Sequence, residues 1–235
     1  MGGLSSARVL LKKELLIQRV DKKKLIALLL LVIPTILLAT HQGGGGLVPA
    51  SLVFPLAPVL FSQLLTSLFA GDDLQMEKNE KMLEVMKSMD VDFRLMLACK
   101  SAITALLPTI AGCFMMISAG LLISVPIRFP SLVALGVCYV ALLFVANVVT
   151  ALLSVAASII SSDATFLNTI RVFSPFVVFA PIAVAGFYFS ALECVPGLLG
   201  MDAAMLALAA ILLNVLPSRL AGLLGIRSIR TSPSL

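Results

Sequence analysis

The 235-residue sequence predicts an all-α integral membrane protein, with six transmembrane helices, both termini in the cytoplasm and a charged cytoplasmic helix between the second and third spans. Composition is the first observation behind this. Hydrophobic residues make up 60% of the chain, charged residues only 12%, and the mean hydropathy is +1.11, against roughly 45–50% apolar and about 25% charged for a soluble domain. A soluble fold of this size cannot hide so much apolar surface. The second observation is that the apolar residues fall in long continuous runs that do not alternate. In lipid every backbone N–H and C=O must be satisfied internally, which leaves helices or a closed barrel, and runs without a period of two select helices. The third is the placement of basic charge, which separates one set of connections from the other.

A crossing takes roughly 20 residues, within a range of about 17–25. Six segments qualify: Leu25–Thr40, Leu47–Ala70, Leu95–Ser124, Leu132–Ile160, Val172–Ser190 and Ala203–Leu216, the first and last being short and extending into their flanks. They form a single domain over 1–235, made of a cytoplasmic segment 1–24, spans one and two at 25–70, the charged cytoplasmic helix at 71–94, spans three to six at 95–216 and a tail at 217–235. Twenty-four residues, seven of them basic, precede the first apolar run, so the first span is expected to stay in place rather than be cleaved as a leader. With the N-terminus inside, sixteen of the seventeen basic residues lie on the cytoplasmic side and only Arg128 outside. The expected location is the cytoplasmic (inner) membrane, and the net charge of +5 is a topology signal rather than a nucleic-acid surface. The outer connections His41–Gly46, Pro126–Pro130 and Ala191–Asp202 are too short to be folded ectodomains.

Within these boundaries the spans carry no Asp, Glu, Arg or His, and Lys100 near the inner end of the third is their one charge. Proton relays, ion-coupled transport and voltage sensing need intramembrane ionisable groups, so those classes are disfavoured. The single His41 cannot build a metalloprotease site, Cys99, Cys113, Cys138 and Cys194 form no CxxC pair, and no GxSxG elbow is present. Asp163, Arg171, Glu193 and Asp202 are too dispersed for a lipid-modifying enzyme. No catalytic residue, bound cofactor or metal is expected. The mild polarity that remains, Gln63, Asn147, Ser154, Ser158 and Asn214, suits hydrogen bonding between helices, and Gln63, Asn147 and Asn214 are the candidates for lining a substrate path. Prolines at Pro34, Pro55, Pro58, Pro108, Pro175 and Pro181 bend helices unless neighbours satisfy the carbonyls they free, with hinges possible near Pro55 and Pro58 or Pro175 and Pro181.

The stretch from Gly71 to Asp92 reads as an amphipathic helix. Met82, Val85, Met86 and Met89 follow one apolar face while Glu77, Glu80 and Glu84 line the opposite one, and Asp72 and Asp73 are placed to cap its start. A helix resting on headgroups usually carries Lys and Arg on its polar face. This face is acidic, and a methionine stripe is adaptable packing for a groove, so the segment points to docking on a cytosolic partner.

The arrangement of a basic N-terminal segment, two spans, an acidic cytoplasmic helix and a third span opened by a basic residue resembles the permease subunits of type-2 ABC exporters. Glu77-Lys78, Leu83-Glu84-Val85-Met86 and Lys100 match that family's pattern, while Lys81-Met82 replace its usual Gly-Thr and Ser88-Met89-Asp90 its Pro turn. The close match covers about thirty residues. Leu68–Gln75 also looks like the permease subunit of cytochrome c maturation, which is linked to haem export.

The resemblance implies a permease subunit that works as a homodimer or heterodimer and moves an amphiphilic or apolar substrate outward with ATP and Mg on a separate ATP-binding subunit. It makes Leu4–Lys24 an amphipathic connecting helix at the inner surface, and makes Glu77, Glu80, Met82, Leu83, Glu84, Val85, Met86 and Met89 the coupling helix contacting that subunit. Membrane lipid is the other expected partner. Lacking a Walker A element and room for an ATPase domain, the chain is not expected to be an enzyme itself. A membrane assembly or scaffold subunit that does not transport is the alternative; it would tolerate charge reversal at Glu77, Glu80 and Glu84.

Overall fold

The computed structural model describes residues 50–79, 93–123, 129–160, 164–189 and 195–223. Each of these stretches is one α-helix: α1 (Ala50–Asn79), α2 (Phe93–Ile123), α3 (Phe129–Ile160), α4 (Ala164–Phe189) and α5 (Val195–Leu223). Leu, Ala, Met and Val dominate all five, and where proline occurs early, at Pro130 in α3 and Pro196 in α5, it sits in the first turn, whose N–H groups have no intrahelical partner to lose. The central helix is α3, which packs against each of the other four, while α1 packs against α2, α3 and α4. Burial follows from that position: 72% of the apolar span of α3 is covered by protein, against 22% for α5.

Side-chain contacts fix the helix directions. Ser62 of α1 lies beside Gly112 of α2, which also meets Leu143 of α3, and further along α1, Ser67 meets Ser154 of α3 and Ser174 of α4. The two positions advance together, so α1 and α3 run parallel. Thr109 pairs with Asn147 while Gly112 faces Leu143, which sets α2 antiparallel to α3. Arg94 at the start of α2 reaches Asn214 near the end of α5. One end of the bundle thereby collects Arg94, Lys100 and Arg171, together with the last turns of α1, α3 and α5.

The interior joins a large apolar core, with Leu142, Leu143, Val149 and Leu152 fully buried, to a seam of buried polar side chains, while large apolar side chains face outward. Ser62, Gln63, Thr66, Asn147, Thr150 and Ser154 are essentially fully buried, whereas Phe114, Val137 and Val177 are each about two-thirds exposed. At about 25 cal/mol per Å² of apolar surface such faces would be strongly disfavoured in water; they are the ordinary outer surface of helices solvated by lipid.

Several expectations are corrected here. The sequence leads to six spans; among the described residues four helices are long and apolar enough to cross, namely Arg94–Ile117, Val133–Ala157, Asn168–Phe187 and Val195–Pro217, with a shorter apolar stretch Leu56–Ala70 in α1. The expected first span, Leu25–Thr40, and the segment Leu4–Lys24 lie outside the described residues. The expected break after Ala70 does not occur, because α1 continues through Gly71 to Asn79. A lone glycine costs a helix only about 1 kcal/mol, and no proline follows to stop it. Asp72 and Asp73 are therefore mid-helix residues and not caps. Helix α4 starts at Ala164, so Arg171 is helical rather than in a connection, and α5 starts at Val195, so Pro196, Gly197 and Asp202 belong to a helix and not to an outer loop. Asp202 is buried on the face that carries Leu198, Met201 and Met205, so the apolar spans do contain an acid.

Gly112 marks a close approach of α2 to α1 and α3. A Cβ there would lie 3.2 Å from the Ser62 Cβ and 3.4 Å from both Leu143 methyl carbons. We predict that Gly112→Leu forces α1 and α3 off α2 and costs about 1–3 kcal/mol, read as a lower unfolding midpoint in detergent. An unchanged midpoint would mean that the crossing is looser than this contact requires.

Candidate functional site

A seam of buried polar side chains runs through the bundle where α1, α2, α3 and α4 meet. On α1 it is written as two i, i+4 pairs, Ser62 with Thr66 and Gln63 with Ser67, which put four polar groups on adjoining faces of one helix. Most of its hydroxyls donate back to their own helix: Ser62 Oγ to the Val59 carbonyl at 2.9 Å, Thr66 Oγ1 to Ser62 at 2.8 Å, Thr109 Oγ1 to Ala105 at 2.7 Å and Thr150 Oγ1 to Ala146 at 3.0 Å. Such back-bonding satisfies the O–H without water. It leaves oxygen lone pairs as the polar surface of the interior.

Two connections join the helices across this seam. In the first, Asn147 Nδ2 donates to Thr109 Oγ1 at 3.0 Å. The second is built on Pro175. Proline has no N–H, so the carbonyl four residues earlier, that of Arg171, loses its helical partner. Ser67 of α1 supplies the replacement, donating from Oγ to the Arg171 carbonyl at 2.6 Å. Ser154 of α3 and Ser174 of α4 each lie 3.2 Å from the Ser67 oxygen and 3.2 Å from one another. With its own proton given to the Arg171 carbonyl, Ser67 Oγ can only accept from Ser154 or Ser174. One side chain thus ties three helices at the proline of the fourth segment in the chain's series of apolar helices.

Not every polar atom in the seam is matched. Gln63 is fully buried and neither its Nε2 nor its Oε1 has a partner, Asn147 Oδ1 has none, and the same holds for Asp202 Oδ1. An amide left so costs roughly 2–7 kcal/mol in an apolar setting. Lys100 is the other buried charged side chain among the described residues.

Of the residues singled out from sequence, Gln63 and Asn147 come together in the interior, while Asn214 is exposed on α5 and accepts a hydrogen bond from Arg94 Nη1 at 3.4 Å. Glu77 is in the last turn of α1; Glu80, Met82, Leu83, Glu84, Val85, Met86 and Met89 lie outside the described residues. Sequence reasoning missed Ser67, Ser174 and Thr109. The i, i+4 polar pairs of α1 were a legible signal for Ser67, and the rule that proline frees the carbonyl four residues back marks Arg171, but neither says that one serves the other. No three His, Cys, Asp or Glu side chains gather to hold a metal among the described residues, and Cys99, Cys113 and Cys138 form no disulfide there.

The fold and the outward apolar faces define a multi-pass α-helical membrane protein whose apolar core encloses a sparsely charged polar seam. Compared with known proteins, the chain matches no family model, no curated sequence and no solved structure.

Replacing Ser67 by Ala strands the Arg171 carbonyl and should cost about 1–3 kcal/mol. Pro175→Ala restores the missing N–H, so in that background Ser67→Ala should cost clearly less; thermal unfolding of the four variants reads the coupling, and equal costs in both backgrounds would show that Ser67 does not serve that carbonyl.

Proposed function

We propose that this chain is the membrane-spanning permease subunit of an ABC exporter of the type-2 class, moving an amphiphilic or apolar compound with ATP hydrolysed on a separate subunit. Two copies, or this chain and a related one, form the working unit. Leu25–Thr40 supplies a further crossing and α1 itself spans, which completes six, and the end of the bundle that gathers Arg94, Lys100 and Arg171 faces the cytoplasm, as the distribution of basic residues requires.

One observation carries this reading. Helix α1 runs without a break past Ala70 to Asn79 and bears Asp72, Asp73 and Glu77 toward the acidic, methionine-striped sequence Glu77–Met89. From Ser67, where α1 is bonded to α3 and α4, to Asn79 is about 18 Å of continuous helix at 1.5 Å per residue. A push delivered near Glu77 would reach α4 at Pro175 through this continuous helix and the Ser67 hydrogen bond, which is what a subunit driven from outside needs. Gln63 and Asn147 are the interior groups along the proposed path, and the near absence of fixed charge beside them suits a cargo that is not selected by charge.

Two results test the proposal. The tagged protein should co-purify with an ABC ATP-binding subunit, and recovery of the chain alone from its native membrane would count heavily against it. In the reconstituted complex Glu84→Lys combined with Met86→Glu should abolish stimulation of ATP hydrolysis while membrane insertion is unchanged; intact stimulation would remove the coupling assignment.

A further inference from the structure

Gln63 and Asn147 share more than burial. Gln63 lies one turn before Ser67 on the same face of α1, and Asn147 lies two turns before Ser154 on the same face of α3. Those faces meet, since Ser67 and Ser154 are 3.2 Å apart, and the helices are parallel. The contact of Gly112 with Ser62 and Leu143 brackets the level from the other side: Gln63 follows Ser62 directly and Asn147 is one turn beyond Leu143, so the two cross-contacts place Asn147 about 4.5 Å to one side or the other of Gln63, within a helical turn along the bundle axis.

Their unmet needs are complementary to one molecule. Gln63 Nε2 offers N–H donors, Gln63 Oε1 and Asn147 Oδ1 are acceptors, and all three atoms lack a partner. Asn147 Nδ2 is already engaged on Thr109. Every group named in this layer is neutral, which gives an ion no counter-charge. A buried water makes about three hydrogen bonds, donating two and accepting the rest, and three is the number of orphan atoms.

We infer that the crossing of α1, α2 and α3 is a hydration site, in which bound water links the Gln63 and Asn147 amides in the interior of the bundle. The seam is then wet at this level, and water is the occupant that any polar group entering from either end has to displace. The inference rests on the bundle alone and is independent of the exporter reading.

The test is a double-mutant cycle on the full-length protein purified in detergent with no cargo added. Gln63→Leu and Asn147→Leu should each lower the unfolding midpoint by several degrees, because each strands the water and the other amide, and the double variant should fall no further than the worse single one. A higher midpoint for Gln63→Leu, as removal of a bare unsatisfied amide would give, overturns the inference, and so do shifts that simply add. Radiolytic hydroxyl-radical labelling of the unmodified protein serves if a variant does not fold. Leu143, fully buried beside the site, should be oxidised by radicals formed from the trapped water, and its protection to the level of Leu152, equally buried two and a half turns away, would contradict bound water there.

Discussion

The hydrogen bond from Ser67 to the Arg171 carbonyl is the constraint around which the described bundle is organised. A helix in lipid cannot leave a carbonyl bare, and Pro175 removes the helical partner of one beside the buried Ser67, Ser154 and Ser174. The structure meets that need from a neighbouring helix, at 2.6 Å. That choice fixes the rotation of α1, since Ser67 has to face α4, and the i, i+4 spacing then turns Gln63 inward as well. It also brings Ser154 and Ser174 within 3.2 Å of the same oxygen, which sets the register of α3. Once α1 and α3 are held parallel in this way, the close approach of Gly112 to Ser62 and Leu143 seats α2 against both.

The rest of the architecture sets this polar seam within an apolar core that draws on all five helices. The outer faces of α2, α4 and α5 carry Phe114, Phe173, Phe176 and Leu206, all exposed, as lipid solvates apolar side chains and does not drive them inward. The hydroxyls that line the seam bond mostly to their own helices, so the helices are held by few cross-links and by close packing of small residues.

Helix positions were legible in the sequence because lipid-spanning runs are long and the signal sums over many residues. Helix ends were not, since apolar periodicity marks where lipid stops and a helix stops only where its backbone is interrupted. Gly71-Asp72-Asp73 ends the apolar run and leaves α1 intact; Asp202 looked like a loop residue because acids are rare in spans, yet it is buried in α5. Gln63 and Asn147 stood out as amides in apolar surroundings and are interior. Asn214 has the same local signature and is exposed, for its fate depends on which side of α5 faces α3. The Ser67 contact lies 104 residues from its acceptor, and no local pattern encodes such a pairing.

The claim that this is a bundle packed around a buried polar seam, with apolar faces turned to lipid, is most directly tested by spin labels placed singly along 172–187 of α4 in liposomes. Collision with dissolved oxygen should rise and fall with the helical period, highest at Val172, Phe173, Phe176, Val177 and Val184 and lowest at Ser174, Val178 and Ile182, with a water-soluble relaxation agent reaching none of the first group near the middle of the helix. Free access of that agent to Phe176 and Val177, or oxygen exposure without a helical period, would contradict the account.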